Sequence, residues 1–446
     1  MWHSAQNPAW QNSSGSLAAS TNCARLTGYF GTGTSSDAFV YSFPVSWTNI
    51  GQTPVGGSTG AAITYDGKRI AGERQAGTGQ VAQAVLWTET APNVWTRTDL
   101  GWLPGSPVPD SIAYGISPGL KPGDLYVVGG STSATNPHAL AWEPCLWPKA
   151  GEPVGLGTWP GLIDCAGAAT DCSEMAEVVV GGWSYYNHET WEYDDLPAIW
   201  LKHTDSQGRE SWPTSEAILA SNYFAALGLS PVLGSLEIRD VSDVNQDGYY
   251  VSVNADDADG YQHGLIVPVR VQPVGLAKTR PDKMPVLVEG VLTAVFPECM
   301  YIQGVSRAAG LRIEPGIPPA DILIGDTVRV LGSMHTGANS ERFCDGYVTK
   351  VNSGPGAARP LCMRCECVGR PTGASTRGML VRTWGRVKAR QPGAFTLDCG
   401  LSCALPEGTP APASGDFVKV TGIAGLDSAG LPLLAVRMAT DIEVEL

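Results

Sequence analysis

The chain has 446 residues, of which 16% are charged, and a formal net charge of −14. At ~150 residues per domain this length suggests about three domains, the acidity argues against a chain that coats a phosphate backbone along its whole length, and no apolar run approaches the ~18 residues of a membrane span. Hydrophobic residues at 43%, with 14 Trp and 14 Tyr, are enough to fold, while 54 Gly and 33 Pro spaced like turns point to short elements.

The amino terminus, Met1-Trp2-His3-Ser4-Ala5, lacks the basic region and apolar stretch of a secretory signal. Eleven cysteines with close spacings, such as Cys165 with Cys172 and Cys399 with Cys403, suit an oxidising compartment. The expectation is an extracellular or cell-surface protein whose numbered sequence starts after a cleavage site; a cytoplasmic protein is the alternative. Residues 1–20 are polar apart from Trp2 and Trp10. They read as an arm that lays these two anchors along an edge strand or groove of a neighbouring copy. Such head-to-tail contacts give open filaments when the rotation does not close. The alternative is an arm folded back on its own chain.

From residue 21 to 272 a pentapeptide recurs, X-Ala-apolar-apolar-aromatic. It reads Asp37-Ala38-Phe39-Val40-Tyr41, Gln83-Ala84-Val85-Leu86-Trp87 and His138-Ala139-Leu140-Ala141-Trp142, with degraded copies at Leu196 to Trp200 and His263 to Val267. Short apolar runs into glycine precede most copies, as in Ile70-Ala71-Gly72, Val127-Val128-Gly129 and Val179-Val180-Gly181. Two copies are followed by segments ending in Pro-Gly, at Pro104-Gly105 and Pro160-Gly161. Only Ser215 to Leu227 hints at a helical period. Units of this size, built from short strands with an aromatic each, read as propeller blades whose rings wedge between neighbours. The expectation is an all-β fold opening with a five-bladed β-propeller; a pair of β-sandwiches is the alternative.

Ala38-Phe39, His138-Ala139-Leu140 and the Leu-Pro-Gly turns resemble the HAF repeats of predicted extracellular bacterial proteins, over about residues 15–270. The resemblance implies a propeller-like β fold and export, and it brings no catalytic residues with it.

Asp243-Val244-Asn245-Gln246-Asp247-Gly248 has the opening of a calcium loop, alternate oxygens around a hard cation with a glycine for the turn. Position twelve would be Asn254 instead of Glu, so an ordinary Asn/Asp-Gly turn is the competing reading for Asp243, Asn245 and Asp247. The expectation is a chain without a cofactor, with calcium at this segment as the alternative. Paired carboxylates for glycoside hydrolysis have candidates in Glu73, Glu174, Glu177 and Asp240, with no spacing that singles them out. The chain has no Gly-x-Ser-x-Gly elbow, phosphate-binding glycine loop or His-Glu-x-x-His, and its six histidines are scattered.

After a proline-marked linker, Gln272 to Pro285, a second repeat appears. Gly325-Asp326-Thr327-Val328-Arg329-Val330-Leu331-Gly332 returns as Gly415-Asp416-Phe417-Val418-Lys419-Val420-Thr421-Gly422. Upstream, Val286 to Leu292 parallels Met379 to Val387, and Cys299 to Gln303 parallels Ala394 to Asp398. This reads as two small OB-like β-barrels in tandem, at 285–352 and 375–446, a fold that does not name a function.

Arg382, Trp384, Arg386, Lys388 and Arg390 lie two apart, so a regular strand would put all five on one face. Cations with an aromatic are the footprint of an oligonucleotide-binding barrel. On so acidic a chain the stripe equally fits docking against another copy, or a solvated face. Cys362-x-x-Cys365-x-Cys367 invites zinc, with Cys344, Cys399 or Cys403 as a fourth ligand. Disulfides are the preferred account, with Cys165–Cys172 and Cys399–Cys403 as local candidates. Together these readings give a non-enzymatic extracellular structural protein, a self-assembling filament or surface-layer subunit. A polysaccharide- or nucleic-acid-binding surface protein and a propeller glycosidase are the alternatives.

Overall fold

The computed structural model describes residues 17–20, 25–31, 36–42, 46–51, 57–75, 81–106, 108–117, 125–132, 142–148, 152–157, 165–187, 190–204, 210–212, 218–314, 319–337, 340–353, 359–369 and 375–445. The Trp2 and Trp10 arm, Cys23, His138 to Ala141 and Pro160-Gly161 lie outside the described residues. The chain is all-β, and it divides into two units, Met1–Val269 and Arg270–Leu446.

The first unit is a succession of antiparallel meanders. Leu17–Ala19, Arg25–Gly31, Ser36–Ser42 and Ser46–Asn49 form one sheet in chain order, and Ser58–Ile63, Arg69–Gln75, Ala82–Ala91 and Val94–Asp99 form the next. Ser111–Ile116, Tyr126–Thr132, Trp142–Pro148 and Val154–Gly155 follow, then Cys165–Cys172, Val178–Asn187, Glu192–Leu201 and Ile218–Leu219, with a single parallel pairing of Trp142 to Ala166 joining these two meanders. Glu237–Val244, Tyr250–Asp256 and Gln262–Pro268 close the unit as a three-stranded sheet. The helical period at Ser215 to Leu227 becomes one short helix, Ala220–Ala226.

The recurrent pentapeptide is the third strand of a meander. Its middle residue pairs with a glycine on the second strand in three copies, Phe39 with Gly28, Val85 with Gly72 and Ala198 with Gly181, whereas Leu265 of the fifth copy faces Val253. This register corrects the third copy. Gly129 faces Cys145 and Val127 faces Trp147, so the equivalent segment is Glu143-Pro144-Cys145-Leu146-Trp147, and Trp142 stands five residues early. The glycines answer to a bulge in the first strand. A β-carbon would sit 1.9 Å from Thr59 O at Gly72, 2.0 Å from Ile112 O at Gly129 and 2.2 Å from Ala168 O at Gly181. Each of these strands shifts register at that point.

The aromatic that ends the pentapeptide packs between sheets. Trp87 lies with Ala38 and Val40 of the preceding sheet and Ile70 and Val85 of its own, and Trp147 does the same with Ala71 and Ala84 before it and Ala113 and Val127 beside it. Trp200 is 1% exposed and donates its Nε1–H to Leu156 O at 3.0 Å; Trp200→Ala would open a cavity costing about 3–5 kcal/mol. A polar lock repeats across the same seams. The buried Ser58 hydroxyl accepts the Ala38 N–H at 2.9 Å, and Ser111 accepts the Ala84 N–H at 3.0 Å. At the next seam Pro144 has no N–H to satisfy, and Gly167 makes room for its ring: a β-carbon there would be 2.5 Å from Pro144 Cδ.

The second unit holds two closed five-stranded barrels. In the first, Pro285–Val295, Met300–Gln303, Gly310–Glu314, Thr327–Thr336 and Arg342–Asn352 close in the order first, second, third, fifth, fourth, with the third and fifth parallel. Leu380–Gln391, Ala394–Leu397, Ser402–Ala404, Phe417–Leu426 and Pro432–Val436 repeat that order and that parallel pairing. The second barrel adds Leu361–Cys362 beside its first strand and Ile442–Glu445 beside its fourth. Val288, Leu292, Ile302 and Val330 fill the first core; Val381, Val387, Phe395, Leu397 and Val420 fill the second.

The duplicated Gly-Asp octapeptide is a clasp. Gly325 and Gly415 have φ of 100° and 97°, where a side chain is strained. Their N–H groups donate to Leu292 O at 2.9 Å and Val387 O at 2.8 Å, and the N–H groups of Leu292 and Val387 return to Asp326 O and Asp416 O, both at 2.9 Å. Asp326 Oδ2 accepts the Leu323 N–H, and Asp416 Oδ2 the Ala413 N–H, each at 2.8 Å. The clasp grips the first strand where it bulges, and the fourth strand starts immediately after.

Candidate functional site

The basic stripe lies on the first strand of the second barrel. Val381, Thr383 and Val387 are buried and alternate with Arg382, Trp384 and Arg386 outside, Trp384 being 41% exposed. Arg382 Nε donates to Thr421 Oγ1 at 2.9 Å, and Arg382 Nη2 is 3.5 Å from Glu443. Trp384 faces Lys419 across the sheet. Lys419 in turn pairs with Glu445, whose carboxylate raises the ammonium above its usual pKa. Arg386 donates from Nη1 to Gly415 O at 3.0 Å and from its backbone N–H to Asp398 Oδ1 at 3.3 Å. The added strand Ile442–Glu445 therefore sets two carboxylates against the stripe, while no carboxylate pairs with Arg386, Lys388 or Arg390 among the described residues. Exposed pairs of this kind contribute little to stability; what they change is the charge of the face, which is mixed rather than uniformly basic.

Arg390 is not part of that face. The register shift between Val387 and Ala389 inserts one residue, after which Arg390 pairs with Phe395, a core residue. Directly paired residues share a side, so the bulge turns Arg390 to the opposite face and leaves Lys388 at the kink.

The calcium-like segment is a hairpin turn between Glu237–Val244 and Tyr250–Asp256. Asn245 Oδ1 accepts the Tyr250 N–H at 2.8 Å, Asp247 Oδ1 accepts from Asn245 Nδ2 at 2.6 Å, and Gly248 has φ of 70°. Asp243 stands on the strand with Ser252 Oγ 3.4 Å from its Oδ2. These bonds build a turn around Asn245 and Asp247, while Asp243 meets the Ser252 hydroxyl.

Three carboxylates among those of the first unit are held high by burial. Glu73 and Asp110 are both held above the usual carboxylate range, first by burial and, for Glu73, then by the charge of Asp110; the Tyr114 phenol is raised first by its own burial and then by these two charges. Asp171, whose Oδ2 accepts the Val244 N–H at 3.0 Å, is pushed up to about 7 by burial and then by Asp243. Asp171 and Asp110 were not singled out by sequence; Asp171 stands at the bulge of its strand, which no composition reveals. A carboxyl protonated near neutrality is suited to acid catalysis; Asp171 spends one of its oxygens on a strand N–H.

The cysteine pairings differ from both local expectations. Cys399 is bonded to Cys365, 34 residues away, and Cys403 is a buried free thiol. Cys403 pairs with Phe395 and so points into the core. Cys165 and Cys172 are free and stand at opposite ends of an extended strand, some ~23 Å apart at ~3.3 Å per residue.

No protein-family model matches the chain, and no curated protein matches its sequence. Among solved structures, TolB from Acinetobacter baumannii is similar at 11% identity and a TM-score of 0.27, over 56% of this chain and 54% of that one. Prolyl oligopeptidase B from Galerina marginata is similar at 8% identity and a TM-score of 0.30, over 71% of this chain and 38% of that one. An endo-arabinase from Bacteroides thetaiotaomicron VPI-5482 has 10% identity and a TM-score of 0.26, over 58% of this chain and 94% of that one. The chain spans about half the length of the first of these or less. Such loose likenesses carry no argument about what this chain does.

Proposed function

We propose that the chain is a non-enzymatic extracellular structural protein, a self-assembling subunit of a filament or surface layer. In this reading the five meanders are the blades of a propeller and the two barrels are OB-like. Wedged Trp87, Trp147 and Trp200 support the blade reading, and the shared closed strand order supports the barrel reading. The resemblance to HAF repeats and the Cys365–Cys399 bond favour export. Among the described residues no helix is long and apolar enough to cross a membrane.

The observation that carries the assembly half is the outer face of the second barrel. An exposed tryptophan stands among Arg382, Arg386 and Lys419, with Glu443 and Glu445 beside them. An aromatic anchor ringed by both signs of charge is the anatomy of a protein interface, whereas a phosphate track keeps its cations uncompensated. Electron microscopy of the purified full chain tests this: ordered polymers are expected, lost on deletion of residues 1–20. Single particles at every concentration would reject it. Steep salt-dependent binding to an oligonucleotide, abolished by Arg386→Glu, would instead favour the nucleic-acid reading.

A further inference from the structure

One motif singled out in the sequence, the cysteines of residues 362–367, is not used by the assembly half of the proposed function. On the second barrel the tight turn Cys365–Cys367, which follows the short strand Leu361–Cys362, meets the turn between the second and third strands that carries Asp398 and Cys399. The sulfurs of Cys365 and Cys399 and a carboxylate oxygen of Asp398 all lie within 4.8 Å of one another. Asp398 Oδ1 accepts the Cys399 N–H at 3.1 Å and the Arg386 N–H at 3.3 Å. Those two bonds fix the carboxylate and leave Oδ2 for a ligand. Cys362 and Cys367 are exposed free thiols three residues before Cys365 and two after it. The other two thiols that sequence spacing allowed are spent elsewhere: Cys344 is packed in the core of the first barrel and Cys403 in that of the second.

We propose that this turn is a zinc site whenever the Cys365–Cys399 bond is reduced. Cys365, Cys399 and Asp398 supply three ligands, and Cys362 or Cys367 supplies the fourth. The chemistry fits: thiolates two to four residues apart on a tight turn, met by ligands from a distant segment, make the four-coordinate sites that zinc prefers. Disulfide and metal are mutually exclusive, because the same two sulfurs serve both. Opening the bond takes two electrons and two protons from a dithiol, which leaves as its own disulfide, and the metal then displaces the thiol protons to solvent. Either occupant ties residues 361–367 to the 398–401 turn, so this corner of the barrel is stapled in oxidising and reducing surroundings alike. The inference stands apart from the assembly reading, since no residue of the proposed interface is a ligand.

The test uses the full chain and Co²⁺ as a spectroscopic stand-in for Zn²⁺. Reduced under anaerobic conditions, the protein should take up one equivalent with the intense visible absorption of tetrahedral cobalt thiolate, and Zn²⁺ should bleach it. The oxidised chain should give no such spectrum. Cys399→Ser and Asp398→Asn should each weaken uptake at least about tenfold, whereas Cys299→Ser should leave it unchanged. If Cys399→Ser fails to fold, Asp398→Asn and the oxidised-versus-reduced comparison of the unaltered chain still decide. A reduced chain without a tetrahedral spectrum overturns the proposal. So does uptake that is the same before and after reduction, or one that Cys399→Ser and Asp398→Asn leave intact.

Discussion

The two barrels share their backbone devices and differ in what they show to solvent. Leu292 and Val387 occupy the same place in the clasp, which makes Leu287, Glu289 and Val291 the counterparts of Arg382, Trp384 and Arg386. A short segment caps each first strand at the same point: the Gln272 N–H donates to Leu287 O at 2.7 Å, and the Met363 N–H to Arg382 O at 3.0 Å. Leu287 is fully buried there, while Arg382 reaches outward. Glu289 is paired across the strands with Arg329, whose Nε is 2.7 Å from Glu289 Oε1. At the matching pair Trp384 faces Lys419, and the lysine turns to Glu445. At this matched pair the first barrel thus carries a compensated ion pair and the second an exposed aromatic. What was duplicated is the machinery of folding; what was changed is the surface, and that is where a function specific to one barrel belongs.

The sharpest way to break this symmetry is at the last glycine of the octapeptide. A β-carbon would lie 2.2 Å from Asp345 O at Gly332 and 2.5 Å from Ala435 O at Gly422. Gly332→Ala and Gly422→Ala should each cost about 2–3 kcal/mol, read as equal losses of Tm for the second unit. A loss in only one barrel would show that the repeat is not structurally equivalent.

A pH dependence between about pH 4 and 7 should come from the first unit, through Asp171. Asp171 has a folded pKa of about 7, above its unfolded value, so the native state binds the proton more tightly. Its contribution favours folding at acid pH and is lost as pH rises from about 4 towards 7. Asp171→Asn should flatten that slope between about pH 4 and 7 and raise Tm by several degrees at pH 8. An unchanged slope would remove the residue from the account.

Smaller effects should separate the two aspartates of the clasp. Asp416→Ala loses one side-chain bond to a backbone N–H and should cost about 1 kcal/mol. Asp326→Ala should cost more, since Asp326 is buried and its carboxylate is also 2.8 Å from Lys350 Nζ. Chemical denaturation of the full chain checks the order of the two.

Legibility followed locality. The Gly-Asp clasp could be read because a left-handed glycine and an aspartate that caps a nearby N–H are chemistry within a few residues, and the sequence shows both twice. The pentapeptide was readable as a strand but not in register: His138 to Trp142 matches the local pattern better than Glu143 to Trp147, and only pairing with Gly129 decides between them. Arg390 was placed on the stripe because a bulge at residue 388 leaves no mark on composition. Cys365 and Cys399 are 34 residues apart, and proximity across a barrel is a long-range fact that spacing cannot supply.

Sedimentation velocity of the full chain across a concentration series, run beside Trp384→Ala and Arg329→Ala, tests the assigned interface most directly. The unaltered chain and Arg329→Ala should grow into larger species as concentration rises, and Trp384→Ala should stay at the mass of one chain. Equal association by all three, or none by the unaltered chain, would contradict an interface on the second barrel.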